Sequence, residues 1–219
     1  MSDRLKIALT KGRLQDQSVA LFERMGLDCT PVKDPGRRLI HQIANYPLDV
    51  VLAKAPDVIT YVQHGVCDLG VVGKDTILEK GGAFYEVLDL GFGRCRFALA
   101  TRWGSDFYGT YKTRRIASKY PEVTRAFFER KGMDVEIIRI EGSVELAPIL
   151  GLADAIVDIV ETGATLRENG LEPIEDVAQV SARLIVNTAS MKLHKAQILD
   201  WIGRCQQALA GETEREKGG

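Results

Sequence analysis

The chain has 219 residues, 45% hydrophobic and 27% charged, enough to bury a substantial core as one large domain or two small ones. Lys+Arg 29 against Asp+Glu 30 leaves a formal net charge of -1, so the overall balance signals neither a nucleic-acid surface nor a membrane surface. Met1-Ser2-Asp3-Arg4 does not open a secretory signal and no apolar run approaches a membrane span, so a cytoplasmic protein is expected. Cys29, Cys67, Cys95 and Cys205 are scattered without a C-x-x-C pair. His41, His64 and His194 have no ligand-like spacing, so no protein metal site is expected and all seven residues are assigned to packing.

Short β-rich runs alternate with amphipathic segments from the start. Leu5–Thr10 predicts a strand, Leu14–Met25 a helix ending at Gly26, and Leu48–Ala53 a second strand. Pro56–His64 reads as a helix stopped by Gly65, Asp68–Val72 as a buried strand, and Asp75 to Lys80 as a helix broken by Gly81-Gly82. Glu86–Leu90 and Arg94–Thr101 are then two strand-like runs joined through Gly91-Phe92-Gly93, with no room for a helix, which predicts a domain crossover. Beyond it come Arg115–Ser118 (strand), Pro121–Lys131 (helix), Val135–Ile140 (strand), Val144–Leu150 (helix) and Ala155–Val160 (strand). Ile174–Val180 and Arg183–Asn187 read as successive strands, Lys192–Leu209 as a terminal helix, and Gly211–Gly219 as a frayed tail.

This order predicts an α/β protein of two lobes joined by two crossovers, similar in plan to type II periplasmic binding proteins. The first lobe takes residues 1–92 and 182–219, the second 93–181, with a cleft expected where strand ends and helix N-termini collect anionic ligands.

The most informative segment is Asp154-Ala-Ile-Val-Asp-Ile-Val-Glu-Thr-Gly-Ala-Thr-Leu-Arg-Glu-Asn-Gly170. An apolar strand core runs into Glu161-Thr162-Gly163-Ala164-Thr165 before a short helix. Such a turn aims backbone N–H groups in one direction beside two threonine hydroxyls, with no bulky side chain to hold a phosphate off. Asp158 is costly within an apolar strand unless it is paired, hydrogen-bonded or exposed at a ligand site, and acids beside a phosphate cradle accept hydrogen bonds from ribose hydroxyls. Taken alone, E-T-G-x-T is common in α/β proteins that bind nothing there.

Several stretches in order make the likeness specific. The segment resembles the phosphoribosyl-pyrophosphate loop of the ATP phosphoribosyltransferase family. Ile7-Ala-Leu-Thr-Lys-Gly-Arg-Leu14 is similar to the family's first strand and K-G-R-L turn, and Asp57–Val62 with Asp68-Leu-Gly-Val-Val-Gly-Lys-Asp75 to its next two motifs. Leu90-Gly-Phe-Gly-Arg-Cys-Arg96 resembles its crossover and Glu141-Gly-Ser-Val-Glu145 its second-lobe turn. The resemblance implies that N1 of the ATP adenine attacks C1′ of phosphoribosyl pyrophosphate while magnesium pyrophosphate leaves. It implies that Glu161, Thr162, Gly163, Ala164 and Thr165 hold the 5′-phosphate, with Asp158 and Asp154 near the ribose hydroxyls and Glu141 and Ser143 as further binding candidates.

Positive charge is needed where pyrophosphate departs, and Lys11, Arg13, Arg37 and Lys54 are the candidates. Lys54 stands where the family often shows arginine; lysine keeps the charge but loses the planar fork. Tyr61, Phe92 and Phe97 are expected in the core rather than around adenine. Magnesium is expected only as part of the substrate. The polar tail leaves no sequence for a histidine-sensing domain, so the likeness to short forms implies a regulatory partner related to histidyl-tRNA synthetase, in a hetero-octamer, with a dimer when the chain is alone. Two other readings stay open: a non-enzymatic solute-binding protein, and a phosphoribosyltransferase for a free base. Common base-specific enzymes carry two consecutive acids before the loop, whereas Ile159 follows Asp158 here.

Overall fold

The computed structural model describes residues 4–109 and 112–217, with side chains described to residue 211. Elements follow the predicted alternation: β1 (Leu5–Thr10), α1 (Arg13–Arg24), α2 (Thr30–Lys33), β2 (Ile40–Ile43), β3 (Leu48–Ala53), α3 (Ala55–Gln63), β4 (Leu69–Gly73), α4 (Lys74–Lys80) and β5 (Tyr85–Asp89). The chain then enters a second unit with β6 (Cys95–Arg102), β7 (Arg114–Ser118), α5 (Pro121–Arg130), β8 (Val135–Arg139), α6 (Leu146–Ile149), β9 (Ala155–Val160), α7 (Ala164–Glu168) and β10 (Leu171–Val180). It returns to the first unit through β11 (Ala182–Val186), α8 (Ser190–Leu193) and α9 (Lys195–Lys217). One unit comprises the chain up to Gly93 and from Ser181 onward; the other is Arg94–Val180.

The first unit is built on a six-stranded sheet of order β2-β3-β1-β4-β11-β5. β3, β1 and β4 run parallel, so their C-terminal ends share one edge. Alternation along β1 explains why both faces are covered: Ile7 and Leu9 enter one core with Phe22 and Trp201, while Ala8 enters another with Val58, Ile59 and Val62. Trp201 anchors α9 by meeting Phe22 edge-on, with ring centroids 5.0 Å apart, a geometry worth about 0.5–1.5 kcal/mol beyond its buried area. Asp68 is structural, because its carboxylate accepts from the Lys6 N–H and the Ser190 hydroxyl.

The returning strand is held where it arrives. Ala182 N–H donates to the Phe92 carbonyl, and Leu90 N–H donates to that of Ala182. Arg183 pairs with Glu86 and Asp89, and Lys74 pairs with Glu86. Gly93 has φ +63, a conformation that favours glycine at this crossover, and a Cβ there would lie 2.7 Å from Leu14 Cδ2, which would have to move.

The second unit is a five-stranded sheet of order β10-β6-β9-β7-β8, with β9, β7 and β8 parallel. Phe97 and Leu99 face a core with Ile116 and Val157, and Ala98 and Ala100 face the opposite core with Ile156, Val160 and Leu166. The same pleat places Asp158 on the face of Ile156 and Val160, toward α6 and α7. Phe97 is buried, as expected of a core aromatic, and Tyr61 and Phe92 pack against the first unit's cores.

α2 and β2 are additional to expectation, β10 begins three residues earlier than expected, and the later helices differ as follows. α6 is shorter than Val144–Leu150, since Pro148 offers no N–H to a longer helix and the chain enters it through single turns at Ser143 and Val144. The terminal helix is broken at His194 into α8 and α9. The predicted frayed tail is instead helical to Lys217, consistent with its glutamate, arginine and lysine content.

Candidate active site

In the second unit, β9 ends at Val160 and the chain turns through Glu161-Thr162-Gly163 into α7. Gly163 takes the left-handed conformation, φ 73 and ψ 10, at the N-cap. The Thr162 hydroxyl accepts the Ala164 N–H at 3.3 Å, and Arg167 donates to the Thr162 carbonyl at 3.1 Å, so the turn is braced from below. The N–H groups of Thr162 and Gly163 have no acceptor among the described residues. α7 spans only five residues, so its macrodipole is small and the individual N–H groups supply the attraction for an anion.

This turn lines a cavity of about 330 Å³ that runs from Asp158 to Leu166 and includes Glu145. Burial holds the Asp158 carboxyl above the usual carboxylate range; the Ile159 N–H and the Lys119 ammonium pull it down, and the Glu145 carboxylate pushes it up. A partly buried acid beside a loop of outward N–H groups accepts hydroxyl hydrogen bonds next to a bound phosphate.

Three sequence candidates sit elsewhere. Asp154 lies at the opposite end of β9, roughly 20 Å from the turn at about 3.3 Å per residue. Its carboxylate accepts the Arg115 N–H at 2.8 Å and its carbonyl accepts the Thr101 hydroxyl, which ties β9 to its neighbours. Glu141 is exposed and paired with Arg139 at 2.8 Å, and Ser143 is exposed; neither lines the cavity, although their loop follows β8 at the same sheet edge. Glu145 and Lys119, whose charges act on Asp158, were not among the sequence candidates. Lys119 directly follows β7, and the rule that ligand groups gather at the C-terminal ends of parallel strands would have found it.

In the first unit, the cationic candidates gather on the edge where β1 and β3 end. Thr10 pairs with Ala53, and the Lys11 N–H donates to the Ala53 carbonyl at 2.9 Å, which sets Lys11 beside Lys54, the N-cap residue of α3. Arg13 follows as the first residue of α1. Arg37 stands on a tight turn in which Gly36, at φ 53, lets the Arg38 N–H reach the Pro35 carbonyl. Lys11, Arg37 and Arg38 line one cavity of about 520 Å³, and no side-chain partner is found for any of the three among the described residues. Lys54 and Arg13 flank it without lining it. Clustered cations without carboxylate partners hold electrostatic potential available to an anion.

No group of three or more His, Cys, Asp or Glu able to hold a metal is present among the described residues, and no helix there is long and apolar enough to cross a membrane. The chain passes from one α/β unit into the other and back, with a glycine turn beside an acid in one and a cation-lined cavity in the other, and this plan defines a type II α/β protein.

Comparison with known proteins sharpens this class. A family model described as HisG, ATP phosphoribosyltransferase, matches residues 54–207. An ATP phosphoribosyltransferase of Clostridium kluyveri is 59% identical over 203 residues, covering 93% of each chain, and one of Clostridium acetobutylicum is 57% identical over 212 residues, covering 97% of each. The chain belongs to the ATP phosphoribosyltransferase family and is an enzyme of that type, which acts at the first step of histidine biosynthesis.

Among solved structures, the ATP phosphoribosyl transferase (HisG:HisZ) complex from Thermotoga maritima superposes with a TM-score of 0.80 at 32% identity, covering 94% of this chain and 99% of that one. The periplasmic aliphatic sulphonate binding protein SsuA from Escherichia coli is 14% identical with a TM-score of 0.63, over 99% of this chain and 76% of that one. That likeness shows the type II fold alone, and the alternatives of a solute-binding protein and a free-base transferase give way to the family assignment.

Proposed function

We propose that the two surfaces divide the reaction. The Glu161–Thr165 turn takes the 5′-phosphate of phosphoribosyl pyrophosphate on its backbone N–H groups and threonine hydroxyls, and Asp158 accepts from a ribose hydroxyl. Lys11 and Arg37, with Arg38 beside them and Arg13 and Lys54 flanking, meet the polyphosphate. N1 of the ATP adenine forms a bond to C1′ as the bond from C1′ to the pyrophosphate oxygen breaks, and its electron pair leaves with pyrophosphate. No covalent enzyme intermediate is needed. Guanidinium and ammonium groups favour that departure because they stabilise charge that is greater in the transition state than in the ground state. Magnesium enters bound to the substrate's pyrophosphate and lowers the same charge.

The observation that carries this reading is the turn itself: a left-handed glycine, N–H groups without acceptors and a half-buried acid share one cavity. Incubating the purified chain with magnesium, phosphoribosyl pyrophosphate and, in turn, ATP, free adenine and free uracil tests it. Pyrophosphate release is expected with ATP alone, and release with a free base at a comparable rate would overturn the acceptor.

A regulatory partner is part of the proposal, because the Thermotoga maritima relative was solved as a HisG:HisZ complex. We expect the partner to be a catalytically silent relative of histidyl-tRNA synthetase, the assembly to be a hetero-octamer in the cytoplasm, and the chain alone to form a dimer. Size-exclusion chromatography with light scattering, with and without the partner, measures both states.

A further inference from the structure

We infer that His41 is a further polyphosphate-binding residue, positioned on β2 to donate a hydrogen bond to the same anion that Arg37 grips; this rests on the proposed role of the cation-lined cavity. β2 alternates outward Ile40 and Gln42 with inward His41 and Ile43. Ile43 joins the core, as its position demands. His41 occupies the equivalent inward position, opposite Val50 in the register of β2 and β3, and is 2% exposed. An aliphatic residue would suit such a position by its burial, and the His41 ring nitrogens are not among the fully buried polar atoms without a partner, so they keep access to solvent. The imidazole makes no hydrogen bond or ion pair with any described residue.

What it faces explains its retention. His41 lines the cavity of about 520 Å³ with Lys11, Arg37 and Arg38, and also lines an adjoining one of about 310 Å³ that holds Asp34 and the same two arginines. The Pro35–Arg38 turn and the imidazole therefore line the same cavity, and the imidazole is held on a strand. Arg37 and Arg38 stand on an exposed turn, whereas His41 belongs to a strand, so its N–H is the preorganised donor of the set. An imidazole always presents at least one N–H donor, and donation to phosphate oxygen is a charge-assisted bond. No carboxylate within the larger cavity competes for it.

Isothermal titration with inorganic pyrophosphate and magnesium tests this, with excess ribose 5-phosphate present to fill the Glu161–Thr165 turn. His41→Leu is expected to weaken pyrophosphate binding about tenfold or more while its thermal midpoint holds or rises; His41→Gln, which keeps an N–H donor, is expected to retain most of the affinity. Parental affinity in His41→Leu alongside a loss in Arg37→Ala would make His41 a packing residue and overturn the inference alone. Parental affinity in both variants would overturn the cavity's role and the inference with it. Should His41→Leu not fold, His41→Met against His41→Gln isolates the donor, and equal affinities for those two would overturn the inference.

Discussion

Gly163 answers two constraints, one of conformation and one of space. At φ +73 a side chain is strained, and a Cβ would lie 3.2 Å from the Arg167 Nη1 atom that braces the Thr162 carbonyl. Gly163→Val should lower affinity for phosphoribosyl pyrophosphate about ten- to a hundred-fold, the value of one or more lost hydrogen bonds to a charged group, and leave ATP affinity nearly unchanged. Calorimetry with each ligand on folded protein checks this, and equal losses for both would remove the turn from the phosphate site. Asp158 carries a pH prediction. Its carboxyl is raised in the folded state, chiefly by burial, so its contribution to stability is present below the unfolded value and lost as pH rises through the folded one. Ionised Asp158 thus destabilises the unliganded protein at neutral pH. Asp158→Asn should raise the melting temperature at pH 7, with the gain shrinking as pH falls through the carboxylate range, and should weaken phosphoribosyl-pyrophosphate binding about ten- to a hundred-fold. Thermal melts across pH with parallel titrations decide it. Asp158 stands out in the sequence because an acid in the middle of an apolar strand demands a reason. Asp154 looks alike in sequence but serves the other end of the strand, where it clamps Arg115. Nothing local separates the two roles; only the direction of β9 does.

At the scale of elements, packing of α3 on β4 depends on a missing side chain. A Cβ at Gly70 would lie 2.8 Å from both Val58 Cγ1 and Val62 Cγ2 and 3.1 Å from Ile185 Cγ1, so helix and sheet approach more closely than alanine permits. Gly70→Ala should destabilise the first unit by about 1–3 kcal/mol through overpacking, and a chemical-denaturation midpoint measures it. An unchanged midpoint would mean that α3 shifts without cost. Strands that are apolar at most positions, such as Leu5–Thr10 and Ala155–Val160, were readable to the residue because burial on both faces leaves little choice of residue type. α2 and β2 were not read. They lie in a stretch rich in proline, aspartate and arginine, and β2 has only four residues, one of them the inward histidine that breaks its apolar alternation. The element hardest to see is therefore the one that carries His41 beside the cationic turn.

At the scale of the molecule, the chain enters its second unit after Gly93 and leaves it before Ser181, and β11 then inserts between β4 and β5 of the first sheet. The two strand-to-strand joins without helices are the sequence features on which the crossings were expected, one residue away from these bounds at each end. The order β3-β1-β4 was not legible in the sequence, because parallel neighbours are chosen by tertiary packing rather than by adjacent residues. Control of activity by an effector requires a second ligand site whose occupancy discriminates between states of the protein. On the proposed assembly, that site belongs to the partner. Histidine should then inhibit the isolated chain only weakly, and addition of the partner should tighten inhibition by roughly 5- to 150-fold, the span of ordinary allosteric coupling energies, and raise the uninhibited rate. Initial rates measured against histidine with and without the partner give both quantities. Strong, saturable inhibition of the isolated chain at micromolar histidine would place the sensing site on this chain and remove the need for an interface in the coupling.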